Sequence, residues 1–188
     1  LTVSNLSGVV TAVSKIDYIT VLAATTYVAT NGPHVYPFTS SETAASNIQE
    51  AVDATMEGGT VQVAAGIYRL NEQLNLTRGV AVRSAAGAGT TIIDRNTAIR
   101  LIGLGHADAV LDGFTLRNGS SGDIGGNVNM TAGLLANCVL TNGSAKYGGG
   151  VYMTGGVVSN CLIASCSVND QSGGGIHMTG GRVLCTEI

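Results

Sequence analysis

The residues best suited to chemistry in this chain are carboxylates and arginines that fall between positions 94 and 117. The set is Asp94, Arg95, Asp108, Asp112 and Arg117. Clustered carboxylates could bind a hard cation such as Ca²⁺, and an arginine beside them could act as a general base. The alternative is structural, because Asp94 and Arg95 lie near a predicted turn, where aspartate is common for backbone reasons alone. No motif supports a calcium site, so we expect no cofactor and no metal.

A second set of polar side chains recurs at one outward position of a repeated strand. Alternation of apolar and polar residues places Arg100, Asn129, Tyr152 and His177 between inward neighbours. In successive layers these side chains would form a polar and aromatic row that could bind a sugar or a protein partner. The alternative is an ordinary solvent-exposed face.

The four cysteines, at positions 138, 161, 166 and 185, lack the C-x-x-C spacing of zinc sites. Cys138 and Cys161 occupy the same position in successive repeats. They form either a ladder of buried thiols, which behave as small apolar residues, or a disulfide, since the expected distance between layers lies in the allowed Cα range. A bridge among Cys161, Cys166 and Cys185 is a further alternative in a secreted protein.

The element that must position these residues is a repeat of about two dozen residues. The pattern apolar–polar–Met–Thr occurs three times, and its methionines, Met130, Met153 and Met178, are 23 and 25 residues apart. A near-constant period of this length indicates one supersecondary unit stacked on itself. Between glycine-rich turns there are only short runs rich in Val, Ile, Leu, Met and Cys, which are typical of strands. We therefore predict an all-β parallel solenoid with two or three short strands per turn.

Stacking of the repeats predicts that residues of the same type at equivalent positions of successive turns lie next to each other, about 4.8 Å apart. The methionines form one expected ladder, Asn137 with Asn160 a second, and Cys138 with Cys161 a third. Asparagine suits the corners, and stacked asparagines can form amide ladders. The predicted inward set is Val128, Met130, Leu135, Cys138 and Leu140, with Val151, Met153, Val158, Cys161 and Ile163 in the next turn.

Composition agrees with stacked sheets and excludes two classes of function. Charged residues make up 11% of the chain, far below the usual quarter or so, and a repeated charge would face its own copy in the next layer. The net charge is −3 and no basic run occurs, so nucleic acid is not an expected partner. No stretch reaches the length of about 18 apolar residues that predicts a membrane span.

The chain divides into three predicted parts. Residues 1–30 form a strand-rich leader, residues 31–59 lead into the coils and contain an α-helix, and residues 60–188 form coils that stay open at the C-terminal end. The helix is predicted from Ser46 to Met56, with a capping box formed by Ser46 and Gln49. Its apolar face consists of Ile48, Ala51, Val52 and Thr55, and Gly58-Gly59 is expected to end it. A longer connection is predicted at residues 120–126.

Several segments resemble one known class of proteins. They are Tyr-Val-Ala-Thr-Asn-Gly at 27–32, the helix region at 44–54, residues 59–68 and 109–119, Ser-Asn-Cys-Leu-Ile at 159–163, and the Gly-Gly-Gly turns. In these the chain resembles right-handed parallel β-helix repeat proteins of the pectate-lyase-like superfamily, which are large secreted or surface proteins of bacteria. The resemblance implies right-handed winding, an extracellular location and a helix that caps the first coil, whose edges would otherwise be unpaired.

Function is predicted from this class with one alternative. Enzymes of the superfamily cleave acidic polysaccharides on the outward face of a sheet. The alternative hypothesis is therefore a polysaccharide lyase, a hydrolase or a carbohydrate-binding module. The Asp-His and Arg-x-Pro-x-x-Arg motifs of pectate lyases are absent from the sequence. We therefore expect a non-catalytic structural or adhesive protein, secreted or at the cell surface. It would be a fragment of a larger surface protein or a filament subunit, whose open C-terminal coil associates with another copy or continues into more chain. Polysaccharide is the other expected partner.

Overall fold

The computed structural model describes residues 22–169 and 172–188, and two short antiparallel strands of the leader, β1 (Val3–Ser4) and β2 (Val10–Thr11). Most of the predicted leader therefore lies outside the described residues. A 3-10 turn (Ser41–Thr43) and helix α1 (Ile48–Ala54) precede the coils. The remaining strands are β3 (Ala23–Val28), β4 (Thr55–Val63), β5 (Gly66–Leu70), β6 (Leu74–Leu76), β7 (Ala81–Ser84), β8 (Thr91–Arg95), β9 (Ile102–Leu104), β10 (Val110–Asp112), β11 (Thr115–Arg117), β12 (Val128–Met130), β13 (Leu134–Ala136), β14 (Val139–Thr141), β15 (Ser144–Ala145), β16 (Val151–Met153), β17 (Val157–Ser159), β18 (Leu162–Ala164), β19 (Ser167–Val168), β20 (Ile176–Met178) and β21 (Arg182–Leu184).

These strands form a parallel β-solenoid of about 5 turns, which confirms the predicted fold class at that level. Sheet 1 has the order β3-β4-β7-β10-β13-β17-β21, sheet 2 the order β5-β8-β11-β14-β18, and sheet 3 the order β6-β9-β12-β16-β20. Each turn passes through sheets 1, 2 and 3 in that order, so a turn contains three main strands. The short pair β15–β19 forms between sheets 2 and 3. Within the described ranges, no helix has the length and apolar character of a membrane span.

The core lies inside the coils and follows from the alternation in each strand. In three-residue strands of sheet 2, the central residue points inward and its neighbours outward, as in β14. All ten residues of the predicted inward set are buried, with at most 4% of their surface exposed. Phe114, Leu116 and Ile93 continue the same core toward the N-terminal coils. Burial of each large apolar side chain stabilises the fold by roughly 1.5–3 kcal/mol.

The methionine register is the one that the sequence predicts. Met130 lies opposite Met153 in β12 and β16, and Met153 lies opposite Met178 in β16 and β20. Leu104 of β9 occupies the same position one coil earlier. Met130 and Met153 are fully buried, whereas Met178, in the last complete coil, is 46% exposed.

Helix α1 begins later than predicted, and the predicted capping residue is wrong. Asn47 is the N-cap, because its side-chain oxygen accepts hydrogen bonds from the amides of Gln49 and Glu50 at 2.8 and 3.4 Å. Ser46 instead contacts His34, to whose Nδ1 its amide and hydroxyl both lie at 3.1 Å. Ser46 and Asn47 both have side chains that can cap a helix. Asn47 takes this role, and Ser46 contacts His34.

The predicted end of α1 is also wrong. The backbone becomes extended at Thr55, where strand β4 begins, so Gly58-Gly59 lies within this strand and does not end the helix. Ile48, Ala51 and Val52 are buried as expected. The carbonyl groups at the helix end are satisfied by side chains: Thr55 donates to Ala51 at 2.6 Å and Arg78 donates to Val52 at 3.1 Å.

The outer edge of β3 is covered by the segment between β3 and α1. The amide of Tyr27 donates to Phe38, the amide of Ala45 donates to Tyr27, and the amide of Ala29 donates to Ala45, at 2.8–2.9 Å. This edge of sheet 1 therefore has backbone partners, which removes the hazard of an unpaired edge strand.

Candidate binding row on the outward face of sheet 3

The outward row is the column of central residues in the five strands of sheet 3. Strand pairing aligns Asn75, Gly103, Asn129, Tyr152 and His177, one in each coil. The flanking residues of β12 and β16 are buried, so the central side chain faces out. Three of the four residues predicted for this row, Asn129, Tyr152 and His177, are in it.

Arg100 is not in the row, and this part of the prediction is wrong. Leu101 and Ile102 are both fully buried, so the alternation is interrupted between them and the outward position of β9 is Gly103. A side chain at Gly103 would collide with Gln73 and Asn75. The side chains of these two residues, joined by a hydrogen bond of 2.6 Å, occupy the space over the glycine.

Arg100 binds the longer connection that the sequence places at residues 120–126. Its Nη2 donates to the carbonyl oxygen of Ile124 at 2.7 Å, and its Nε lies 3.0 Å from the carbonyl oxygens of Ile124 and Gly125. Its Nη1 donates to Gln73 at 3.1 Å. Burial lowers the pKa of Arg100, and Asp123 partly opposes the effect. The guanidinium therefore fixes a loop beside the row.

The C-terminal half of the row is an aromatic cluster. The rings of Tyr152 and His177 are stacked, with centroids 5.2 Å apart and planes 3° apart. Tyr147 meets His177 edge-on at 5.2 Å, and the Lys146 amine lies 5.7 Å from the Tyr147 ring. Sequence analysis missed Tyr147 because it lies in the connection between β15 and β16, outside the predicted strands, although it stands directly before Gly148-Gly149-Gly150.

This cluster is unusual for the coils, where aromatic side chains are scarce. Within residues 60–169 and 172–188, the other Phe and Tyr side chains are Tyr68 and Phe114, which are 5% and 0% exposed. Next to Tyr152 in the register, the side-chain oxygen of Asn129 is buried and has no hydrogen-bond partner among the described residues. The row thus combines partly exposed aromatic rings with an unsatisfied acceptor.

A cleft of about 700 Å³ lies at the N-terminal end of the row, between α1 and the connection from β5 to β6. Its walls include Gln49, Glu50, Arg69 and Gln73. The side chain of Gln49 accepts a hydrogen bond of 2.8 Å from the amide of Asn75, the first residue of the row. The cleft therefore adjoins the first residue of the row. Sequence analysis did not identify this cleft.

The carboxylates singled out from the sequence have other roles. Asp94 is 4% exposed and accepts hydrogen bonds from Arg117 Nε and Asn118 Nδ2, both at 2.9 Å, and from Arg69 at 3.4 Å. Burial alone would raise the pKa of Asp94, but hydrogen bonds from Asn118, the Arg95 amide and Arg117 outweigh it and lower the pKa. This carboxylate is ionised and fully engaged at neutral pH.

Asp94 and Asp112 each begin a ladder of asparagine side chains. In the first ladder Asn118 donates to Asp94, and Asn142 donates to Asn118 at 3.3 Å. These asparagines have φ values of 63° and 52°, in the left-handed region that asparagine tolerates.

The second ladder lies at the corner between sheets 1 and 2. Asn137 donates to Asp112 at 2.6 Å, and Asn160 donates to Asn137 at 2.7 Å. Arg83 forms an ion pair with Asp112. The predicted stacking of Asn137 on Asn160 is therefore present as a direct amide–amide hydrogen bond, based on an aspartate.

The five chemically suited residues do not converge on one site. Asp94 belongs to sheet 2 and Asp112 to sheet 1, and each has its own arginine partner. Asp108 is 84% exposed in its side chain and lies 4.0 Å from His106. In the described part of the chain, no group of three or more His, Cys, Asp or Glu side chains is arranged to hold a metal ion.

The four cysteines are free thiols. Cys138 and Cys161 are buried, Cys166 is half-buried and Cys185 is exposed. Cys138 and Cys161 follow Asn137 and Asn160 and enter the core side by side.

Comparisons with known proteins identify no relative: no family model, curated protein or solved structure matches the chain significantly. Function must therefore be argued from the site itself, because a solenoid fold alone is compatible with many activities.

Proposed function

We propose that the protein is a structural or adhesive right-handed parallel β-helix of the pectate-lyase-like type. It acts outside the cell, secreted or on a bacterial surface, and binds a polysaccharide along the outward row of sheet 3. The observation that carries the proposal is the grouping of Tyr147, Tyr152 and His177 around this row. Tyrosines are typical of binding surfaces, because the ring is apolar and the hydroxyl group can stay in contact with solvent.

The spacing of the row favours an extended polysaccharide over a compact ligand. Neighbouring strands in a sheet are about 4.8 Å apart, which is close to the length of one sugar unit. The row has one outward position per coil at this spacing, with a side chain at each position except Gly103. The C-terminal half of the row is polar rather than charged: between positions 124 and 181 the sequence has two charged side chains, Lys146 and Asp170. A neutral polysaccharide that lies along the solenoid axis suits such a surface.

The two asparagine ladders support a structural role for the rest of the coil. Asp94, Asp112 and Arg117 stabilise contacts between turns, and hydrogen bonds to charged groups contribute more than neutral ones. A scaffold of this kind holds the row at constant spacing. The same contacts explain why these residues, although suited to catalysis by type, serve the fold.

The two ends of the solenoid support different proposals. At the N-terminal end, α1 buries Ile48, Ala51 and Val52 against the first coil, in keeping with a capping role. At the other end, Met178 and Leu184 are 46% and 39% exposed. We propose that further β-structure, from the same chain or from another copy, covers this coil.

Binding to a panel of neutral polysaccharides, with polygalacturonate as the acidic member, tests the proposed function. We expect a neutral polysaccharide to bind, and the double variant Tyr152→Ala/His177→Ala to bind at least about tenfold more weakly, a loss of about 1.4 kcal/mol. The matched control is Thr141→Ala/Ser159→Ala, which changes outward, half-buried residues of sheets 2 and 1. The proposal is wrong if no polysaccharide binds, or if both double variants bind like the unmodified protein.

A further inference from the structure

Cys138 and Cys161 are neighbours across two successive coils. Strand pairing aligns Ala136 with Ser159 just before them and Val139 with Leu162 just after them. The two cysteines therefore share one position in adjacent layers. Their side chains are 1% and 4% exposed and belong to the same apolar core.

We propose that Cys138 and Cys161 are a site of disulfide formation that covalently joins these two coils under oxidising conditions. Strands in a sheet lie about 4.8 Å apart, within the Cα separations of about 4.4–6.8 Å at which disulfides occur. The proposal is independent of polysaccharide binding, since both cysteines lie inside the coil and the row lies on the outer face of sheet 3.

The asparagine ladder holds the two backbones at this place. Asn137 and Asn160 directly precede the cysteines, and the hydrogen bond of 2.7 Å between their side chains joins the two corners. Both asparagines have nearly the same backbone conformation, with φ values of 52° and 51°. The two Cα–Cβ bonds that follow therefore start from equivalent positions.

The structure does not align Cys166 or Cys185 with Cys161 in the way that it aligns Cys138. Cys185 aligns with Asn160 and not with Cys161, because Leu184 pairs with Ser159. The residue beside Cys161 in the next layer is Thr186, whose hydroxyl lies 3.5 Å from the Cys161 amide. Cys166 lies at a different corner, where its thiol is directed to the carbonyl oxygens of Leu140 and Ala164.

The reaction is a thiol–disulfide exchange with a small disulfide such as oxidised glutathione. The Cys161 thiol loses its proton to solvent, and its thiolate attacks one sulfur of the oxidant, which leaves a mixed disulfide and releases one glutathione thiolate that takes up a proton from solvent. The sulfur of Cys138 then displaces the second glutathione, which takes up the proton of the Cys138 thiol. Two protein thiols are oxidised to one disulfide, and one oxidised glutathione is reduced to two thiols.

The two thiols are unequal in a way that suits this order. A hydrogen bond from Cys138 lowers the pKa of Cys161, whereas burial raises the pKa of Cys138. The thiolate is the attacking form, so Cys161 is the better first nucleophile. It is also the less buried of the two.

The test is incubation of the folded protein with a glutathione redox buffer, followed by thiol counting and peptide mapping. We expect the four thiols of the chain to fall to about two and the intact mass to fall by about 2 Da, as one disulfide requires. Because Cys161 and Cys166 share a tryptic peptide, the bridge is assigned with the Cys166→Ser variant. A second sample is refolded from denaturant in the same buffer, so that burial does not limit access of the oxidant.

Four single variants identify which two cysteines form the bridge. The bridge should persist in Cys166→Ser and Cys185→Ser and be lost in Cys138→Ala and Cys161→Ala, whose fold is checked by circular dichroism. A bridge between another pair, glutathione adducts alone, or four free thiols after both treatments would overturn the proposal.

Discussion

The terminal methyl of Met130 occupies the space that a side chain at Gly156 would need. A Cβ atom on Gly156 would lie 2.7 Å from Met130 Cε and 2.7 Å from the carbonyl oxygen of Gly133. The same relationship holds one coil later, between Met153 and Gly181, at 2.5 Å. The methionine ladder and the glycine turns are therefore one packing arrangement, in which each coil receives the methionine of the coil before it.

Replacement of Gly156 by alanine should therefore destabilise the protein strongly. Gly156 has a φ of 80°, which costs an alanine roughly 1–2 kcal/mol. Overpacking against Met130 and against the backbone carbonyl of Gly133 adds about 1–3 kcal/mol. We expect a total loss of about 3 kcal/mol in the free energy of unfolding, measured by urea denaturation.

Two control variants separate the cost of the positive φ from the cost of overpacking. The first is Gly87→Ala, because Gly87 has a similar φ of 81° and a Cβ atom there would have no atom within 4 Å. The second is Gly89→Ala, because a Cβ atom on Gly89 would also have open space and Gly89 has no positive φ. A loss in Gly156→Ala no larger than in Gly87→Ala would contradict the packing argument.

The stability of the coil should depend on the ionisation of Asp94. Because the pKa of Asp94 is lower in the folded protein than its unfolded value of about 3.9, the carboxylate stabilises the fold above that value. This stabilisation is lost as the pH falls through the folded pKa. We expect Asp94→Asn to lose about 2 kcal/mol of unfolding free energy at pH 7, and much less at a pH below the folded pKa.

Urea denaturation of both proteins at the two pH values measures the difference. Asp108→Asn is the control, because that side chain is 84% exposed and should change stability little at either pH. An equal loss for Asp94→Asn at both pH values would mean that the ionised form contributes nothing specific.

The asparagine ladder makes a graded prediction for two glycine variants. Asn137 takes part in two ladder hydrogen bonds, one to Asp112 and one from Asn160, whereas Asn160 donates one. Glycine keeps the left-handed backbone and removes only the side-chain contacts. At about 1 kcal/mol per neutral hydrogen bond, and more for the bond to the Asp112 carboxylate, Asn137→Gly should cost at least about twice as much as Asn160→Gly. Equal losses in thermal or urea unfolding would show that the ladder bonds do not contribute individually.

Removal of Arg100 should loosen the connection at residues 120–126. Its guanidinium donates to the carbonyl oxygen of Ile124 in this loop at 2.7 Å. We expect faster amide hydrogen exchange in residues 121–126 of Arg100→Gln, with exchange in β14 and β18 unchanged, because those strands make no contact with the guanidinium. Arg95→Gln is a matched control. Uniformly faster exchange would indicate global destabilisation and would refute a local role.

Much of the fold could be predicted because its interactions repeat at one period. Met130, Met153 and Met178 give the period, and alternation around them identifies the inward residues. The same reasoning fails where the local pattern is interrupted. Leu101 and Ile102 are both buried where β9 begins, so counting by alternation assigns Arg100 to a row that belongs to Gly103.

The candidate site was harder to predict than the core. Tyr147 joins the aromatic cluster from the connection between β15 and β16, where no periodic pattern gives the direction of a side chain. The roles of Asp94 and Asp112 depend on asparagines one coil later. The spacings of 24 residues from Asp94 to Asn118 and 25 from Asp112 to Asn137 contain this information. It becomes visible only when each carboxylate is compared with the residue one period ahead.

Each ladder also gives the solenoid an electrical polarity. Every amide in it donates toward the N-terminal neighbour, so the side-chain dipoles point one way and converge on a carboxylate. At the next left-handed corner positions stand Ser165 and Cys185, which have no amide group to extend the series. The coils are consequently not interchangeable modules: the turns with aspartate must come first, and a rearranged order of repeats would place the negative charges away from the donors that neutralise them.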